Sequence, residues 1–172
     1  MSTTTSAAEA ADPSGSGGSA LTVLIATDGS DAAVAAAHRA VGLLRPGARI
    51  VLAVVIPEKA DPEADAGGFE GPLMTEEEAE HDWEDANDSG EEALGRTTSE
   101  MSGEVEERVV ASDESAGNAI VHCAEEIGAD LVVVGASGKG LFKRLFSGSV
   151  SDHVVHHAPC PVLVIRSEHT TA

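Results

Sequence analysis

Residues 131–150 read LVVVGASGKGLFKRLFSGSV. Leu131–Val134 is apolar at every position, the mark of a strand buried on both faces in a parallel sheet. A glycine-rich segment follows at its carboxyl end, and from Gly148 to His157 the chain reads as a helix. Glycines let backbone N–H groups approach an anion, and a helix N-terminus adds unpaired donors and a positive dipole end. Lys139, Lys143 and Arg144 fall in this segment, three of ten basic residues in a chain of formal charge −20. The stretch predicts a phosphate-binding loop between a buried strand and a helix. A tight surface loop is the plainer reading of its glycines.

Outward from there the same pattern repeats. Leu21–Ala26 (LTVLIA) and Ile50–Ile56 (IVLAVVI) are continuous apolar runs, and Glu106–Ala111 and Val162–Ile165 (VLVI) read as further strands. Ser30 is placed to cap a helix whose apolar positions are Val34, Ala37, Val41 and Leu44, ended by Pro46-Gly47. Residues 57–74 read as a loop. Thr75-Glu76-Glu77-Glu78 has the form of a capping box, opening a helical stripe of Ala79, Trp83, Ala86, Leu94, Thr97 and Met101 that Gly90 and Gly95 weaken. Ser115 caps a helix with Ala119, Ile120, Cys123 and Ile127 inward, closed by Gly128. Apolar strands alternating with helices force right-handed crossovers and an α/β layered parallel sheet.

Composition bounds the function. A length of 172 residues favours one domain with its own core. Thirty acids against ten bases argue against nucleic acid or an anionic membrane as partner. No apolar run reaches the ~20 residues of a spanning helix. Residues 1–20 lack the basic start and apolar stretch of a signal peptide; they and residues 168–172 read as tails, the first disordered. Two cysteines do not make a disulfide framework. A cytoplasmic location is expected. Residues 57–104 hold seventeen of the acids and two bases, Lys59 and Arg96, as a halophile-like acidic surface or a solvated helix face would.

Two familiar nucleotide motifs do not fit. Gly135-x4-Gly140 is followed by Leu141-Phe142 and not by Lys-Ser/Thr, and the first strand leads into Thr27-Asp28-Gly29-Ser30 without a dinucleotide fingerprint. Gly135-x2-Gly138-x9-Gly148-Ser149, however, resembles the Gly-x2-Gly-x9-Gly-Ser/Thr pattern of the ATP-binding branch of the universal stress proteins. Ala26-Thr27-Asp28-Gly29-Ser30 and His157-Ala-Pro-Cys-Pro-Val-Leu-Val-Ile-Arg166 are similar to that family's opening and closing segments. The resemblance spans residues 21–167 and implies a Rossmann-like, five-stranded parallel sheet ordered 3-2-1-4-5 with helices on both faces. It implies that Ala26, Thr27 and Asp28 line the nucleoside end, with Val54 walling the adenine. Val134, Gly135, Ser137 and Gly138 would lie along ribose and phosphates, capped by Gly148, Ser149 and Val150. Ser137 stands where many relatives carry His or Arg, which removes one phosphate contact.

Asp28 has a structural alternative, since aspartate after a strand often satisfies backbone donors. Ser149 serves equally as a helix cap. His153 and His157 share a helix face with His156 nearby, but no carboxylate or cysteine stands at zinc spacing to them, so no metal is expected there. Cys123 reads as packing, and Trp83 as a core anchor. The leading expectation is an ATP-binding, nucleotide-responsive stress-response module, not an enzyme, with magnesium accompanying the nucleotide. The alternatives are an ATPase or nucleotidyl transferase, and a scaffold with a vestigial site. The last strand, Val162–Ile165, is wholly apolar and lies at a border in the implied order, which predicts a homodimer through that edge.

Overall fold

The computed structural model describes residues 20–62, 74–135 and 150–166. The two tails and most of the loop expected at 57–74 lie outside them. The chain alternates β1 (Thr22–Ala26), α1 (Asp31–Leu43), β2 (Arg49–Pro57), α2 (Glu76–Ser99), β3 (Val105–Ser112), α3 (Ala116–Ile127), β4 (Leu131–Gly135), α4 (Val150–His157) and β5 (Val162–Ile165). The strands form one parallel sheet in the order β3-β2-β1-β4-β5, as the resemblance implied. Among the described residues no helix is long and apolar enough to cross a membrane.

Right-handed crossovers fix the face each helix takes. From β1 the chain steps outward through β2 to β3, so α1 and α2 cover one face. It then returns to β4 and steps outward the other way, so α3 and α4 cover the opposite face. Two buried clusters record the division. Val23, Ile25, Ala36, Ala40, Leu52, Val54 and Leu94 fill the first, and Leu24, Val51, Ala53, Ile120, Cys123, Val132 and Val154 fill the second. Consecutive residues of β1 and β2 alternate between the clusters, which is why these strands carry no polar alternation.

The inward face of α1 differs from expectation. α1 buries Ala33, Ala36, Ala37 and Ala40, while Val34, Val41 and Leu44 lie half-buried at its flank. An all-alanine face lets the helix backbone settle close on β1 and β4. Ser30 Oγ accepts the Ala33 N–H at 3.2 Å, and Gly128 closes α3 in the left-handed region at φ 60°, both as expected.

α2 begins on a complete capping box: Thr75 Oγ1 accepts the Glu78 N–H at 3.2 Å, and Glu78 Oε2 accepts the Thr75 N–H at 2.8 Å. The Thr75 N–H, and then its hydroxyl at 3.0 Å, hold the Glu78 carboxyl below its ordinary range. A lowered folded pKa contributes stability above the unfolded value and loses it as pH falls through the folded value, so this turn weakens in acid. The carboxylates of α2 are exposed, apart from half-buried Glu80, which pairs with Lys59.

Gly90 and Gly95 have different roles. A Cβ on buried Gly90 would stand 2.9 Å from Ile56 Cγ2 and 3.4 Å from Val54 Cγ1, so its bare backbone is what allows α2 to press on the end of β2. Gly95 is exposed, with open space where a side chain would be. Trp83, seven residues ahead of Gly90, is half-buried and belongs to neither core cluster, which corrects the expectation of a core anchor.

Gly95→Ala should therefore stabilise the protein by up to about 1 kcal/mol, the helix-propensity difference. Gly90→Val should destabilise it by about 1–3 kcal/mol through overpacking. Denaturant unfolding at fixed salt checks the pair. A stabilising Gly90→Val would contradict the packing described for α2.

Candidate functional site

The ladder between β1 and β4 opens at its carboxyl end. It runs Val23–Leu131, Leu24–Val132, Ile25–Val133 and stops. β1 continues against β2 to Ala26–Ala53, and the Thr27 N–H donates to Ala53 O at 2.9 Å. β4 continues against β5 to Gly135–Ile165. Ala26-Thr27-Asp28 and Val134-Gly135 thus leave the sheet on either side of the point where strand order reverses. Open α/β sheets take their ligands in that crevice.

The β1–α1 loop is held from beneath by α2. Thr97 Oγ1 donates to Ala93 O at 2.7 Å, so in its 2.9 Å contact with Thr27 Oγ1 it is the acceptor. Thr27 Oγ1 in turn accepts the Gly29 N–H at 3.1 Å. The result is a relay from Gly29 through two buried hydroxyls to the α2 backbone. Gly29 has φ +70°, and a Cβ there would stand 2.7 Å from Ala93 Cβ. Arg96 Nη1 donates to Gly29 O at 2.8 Å, and its Nη2 pairs with the Asp31 carboxylate. Ala93, Arg96 and Thr97 were not expected at the site. Arg96 stood out only as one of two bases in an acidic segment, and its partner Asp31 lies 65 residues away.

Asp28 takes the structural role expected of it. Its Oδ1 accepts the Ser30 N–H at 3.1 Å, while Oδ2 has no hydrogen bond to a described residue and the side chain is half-exposed. Thr27 by contrast has both its hydroxyl and its N–H engaged within the protein. Across the crevice, Val134 is buried in the α3/α4 cluster. Gly135 is half-buried, and a Cβ on it would meet Ala36 Cβ at 3.8 Å and Ala33 Cα at 3.9 Å, which is ordinary contact. Its packing against the described residues does not demand glycine. Ala26 and Val150 are half-buried. Val54 is 1% exposed with its side chain spent in the core against α2. Ser137, Gly138, Lys139, Lys143, Arg144, Gly148 and Ser149 lie outside the described residues.

The histidines of α4 are occupied with one another. His153 and His157 stack with ring centroids 4.1 Å apart, and the His153 ring fills the space over Gly117 of α3. Among the described residues, no group of three or more His, Cys, Asp or Glu is placed to hold a metal ion. Cys123 is buried and Cys160 half-buried, both as free thiols; burial and then the Asp130 charge push the Cys160 thiol up.

The fold is an open parallel α/β domain whose switch-point crevice lies between a carboxylate-bearing loop and a glycine. Residues 21–166 match the universal stress protein family, and the chain belongs to it. A universal stress protein of Methanocaldococcus jannaschii is 33% identical over 146 residues, 84% of this chain and 81% of that one. Among solved structures, a universal stress protein in complex with cAMP is 25% identical with a TM-score of 0.57, covering 88% of this chain and 100% of that one. The fold is also that of the Archaeoglobus fulgidus universal stress protein in complex with dAMP, 23% identical with a TM-score of 0.54 over 86% of this chain and 98% of that one.

Because Gly29 meets α2 in a left-handed conformation, Gly29→Ala should destabilise the protein by about 2–4 kcal/mol, strain and overpacking together. Gly47 also has positive φ but open space beside it, and Gly47→Ala should cost only about 1–2 kcal/mol. Equal losses in denaturant unfolding would mean that the contact with Ala93 carries no weight.

Proposed function

We propose that the protein binds an adenine nucleotide, ATP, in the crevice between the carboxyl ends of β1 and β4. It acts as a nucleotide-responsive stress-response module without efficient hydrolysis. The observation that carries the proposal is the opened ladder, with an Asp28 oxygen that no described residue engages on one side and, on the other, a glycine that packing against the described residues does not require. Gly135 leaves room for a ligand's backbone-facing edge, and residues 136–149 that follow it supply Lys139, Lys143 and Arg144 for phosphate charge. The related proteins bound to cAMP and dAMP support an adenine nucleotide as the ligand class.

The residues fit a nucleotide better than they fit a hydrolytic site. Residues 136–149 contain no Asp, Glu, His or Cys, so the phosphate segment offers no general base. Of the two carboxylates in the first loop, Asp31 is paired with Arg96. Asp28 alone is left to meet the nucleotide or an accompanying magnesium ion, and one carboxylate does not activate water and hold a metal at once.

In this proposal the protein is cytoplasmic, in keeping with its two free thiols, and dimeric through β5. That strand is a border of the sheet, and Val164 on it is 40% exposed. Pairing two such edges about a two-fold axis would satisfy both. Repulsion between chains of charge −20 opposes this, so association should strengthen with salt.

Calorimetry with ATP tests the site. Gly135→Ala should stay folded yet lose at least about tenfold in affinity, because a methyl group blocks close approach. Lys143→Ala with Arg144→Ala should weaken binding in a salt-dependent way. Unchanged affinity in both variants would place the site elsewhere. Phosphate release at about 1 s⁻¹ or faster, lost on Asp28→Ala, would make the protein an enzyme. For the interface, light scattering at molar salt should find a dimer that Val164→Lys converts to monomer; a folded, dimeric Val164→Lys protein would exclude β5 as the contact.

A further inference from the structure

We propose that Arg96 and Thr97 of α2 are positioning residues for the nucleotide site, an inference that rests on the site proposed above. Neither touches the crevice. Both act on the residue that follows Asp28. The Gly29 N–H ends on the Thr27 hydroxyl, which is itself oriented by Thr97, and the Gly29 carbonyl receives Arg96 Nη1. The two ends of one residue are thus fixed by neighbouring positions of a single helix. With Gly29 held at φ +70°, the chain direction on its amino side is set, and that is where Asp28 presents its carboxylate.

The arrangement exceeds what folding of the loop requires. Ser30 already caps α1, and Asp28 Oδ1 already closes the turn on the Ser30 N–H. These local bonds are enough to shape a strand-to-helix turn. The additional contacts come from α2: a buried hydroxyl pair, of which Thr97 is 0% exposed, and a guanidinium bridging Gly29 O and the Asp31 carboxylate. By bridging those two acceptors, Arg96 ties the residue before the Ser30 cap to the first residue of α1. It also pairs with Asp31, the second carboxylate near this loop. Loss of Arg96 would free the loop and leave that charge unpaired.

The test uses Thr97→Val, which keeps the shape and removes the hydroxyl, Thr97→Ser, which restores it, and Arg96→Gln. Amide hydrogen exchange reads the loop without nucleotide. Thr97→Val should speed exchange at Gly29 by about tenfold or more while β1 amides keep their protection, and Thr97→Ser should return it close to wild type. ATP calorimetry reads the site: Thr97→Val and Arg96→Gln should each weaken binding about tenfold, with Thr97→Ser close to wild type. Unchanged Gly29 exchange in Thr97→Val overturns the positioning role outright. So does unchanged ATP affinity in folded Thr97→Val and Arg96→Gln proteins when Asp28→Ala abolishes binding. If the wild-type protein binds no ATP, the site proposal fails, and the role assigned to Arg96 and Thr97 fails with it even where Gly29 exchange responds.

Discussion

β1 and β4 lie side by side and run in the same direction, yet their chains leave for opposite faces of the sheet. That divergence is the constraint on which the rest depends. After Ile25–Val133 the two backbones no longer pair, and each instead continues its ladder with its outer neighbour. Strand ends that point into the same gap without bonding each other present backbone groups and small residues to whatever enters it. The residues nearest the gap are small for the same reason: Ala26, Gly135, and Ala33 and Ala36 of α1.

Close approach through small residues recurs across the molecule, and it replaces the large side chains that the chain lacks. Only 2% of residues are aromatic, so the core is built from Val, Ile, Leu and Ala. Helices are positioned by how near their backbones come. Gly90 sets α2 against β2, the Gly29–Ala93 contact sets the first loop against α2, and Gly117 receives the His153 ring between α3 and α4. Interiors packed to crystal-like density transmit such fixed distances over several residues. This is how the last turns of α2 come to govern a loop after β1 from beneath. The acidic charge of α2 stays on its outer side, apart from Glu80, and does not enter this packing.

β1, β2 and β4 were legible because burial on both faces leaves a plain apolar run, whereas β3, with Glu106, Glu107 and Arg108, and β5 are border strands without such burial; all five lie within one residue of their expected bounds. Caps at Ser30, Thr75 and Ser115 and the stop at Gly128 were legible because they use local chemistry within four residues. The order of the strands and the residues flanking the crevice came from the spacing of the glycine segment, through its resemblance to a family. The illegible parts all depend on tertiary distance. Which stripe of α1 faces inward depends on how close the helix lies, so the alanines won over Val34, Val41 and Leu44. Trp83 looked like a core residue because helical periodicity marks a face and not how deeply each turn of that face is buried. The link from Arg96 to Gly29 and Asp31 joins two short segments whose sequences carry no mark of each other.

The central claim is that an adenine nucleotide occupies the gap where β1 and β4 part. Titration of isotope-labelled protein with ATP, followed by amide resonances, tests it most directly. The account predicts saturable shifts concentrated at Ala26–Ser30, Val134–Gly135 and Val150, with β3 and the exposed face of α2 unaffected. Shifts confined to other surfaces, or none at millimolar ATP, would contradict it.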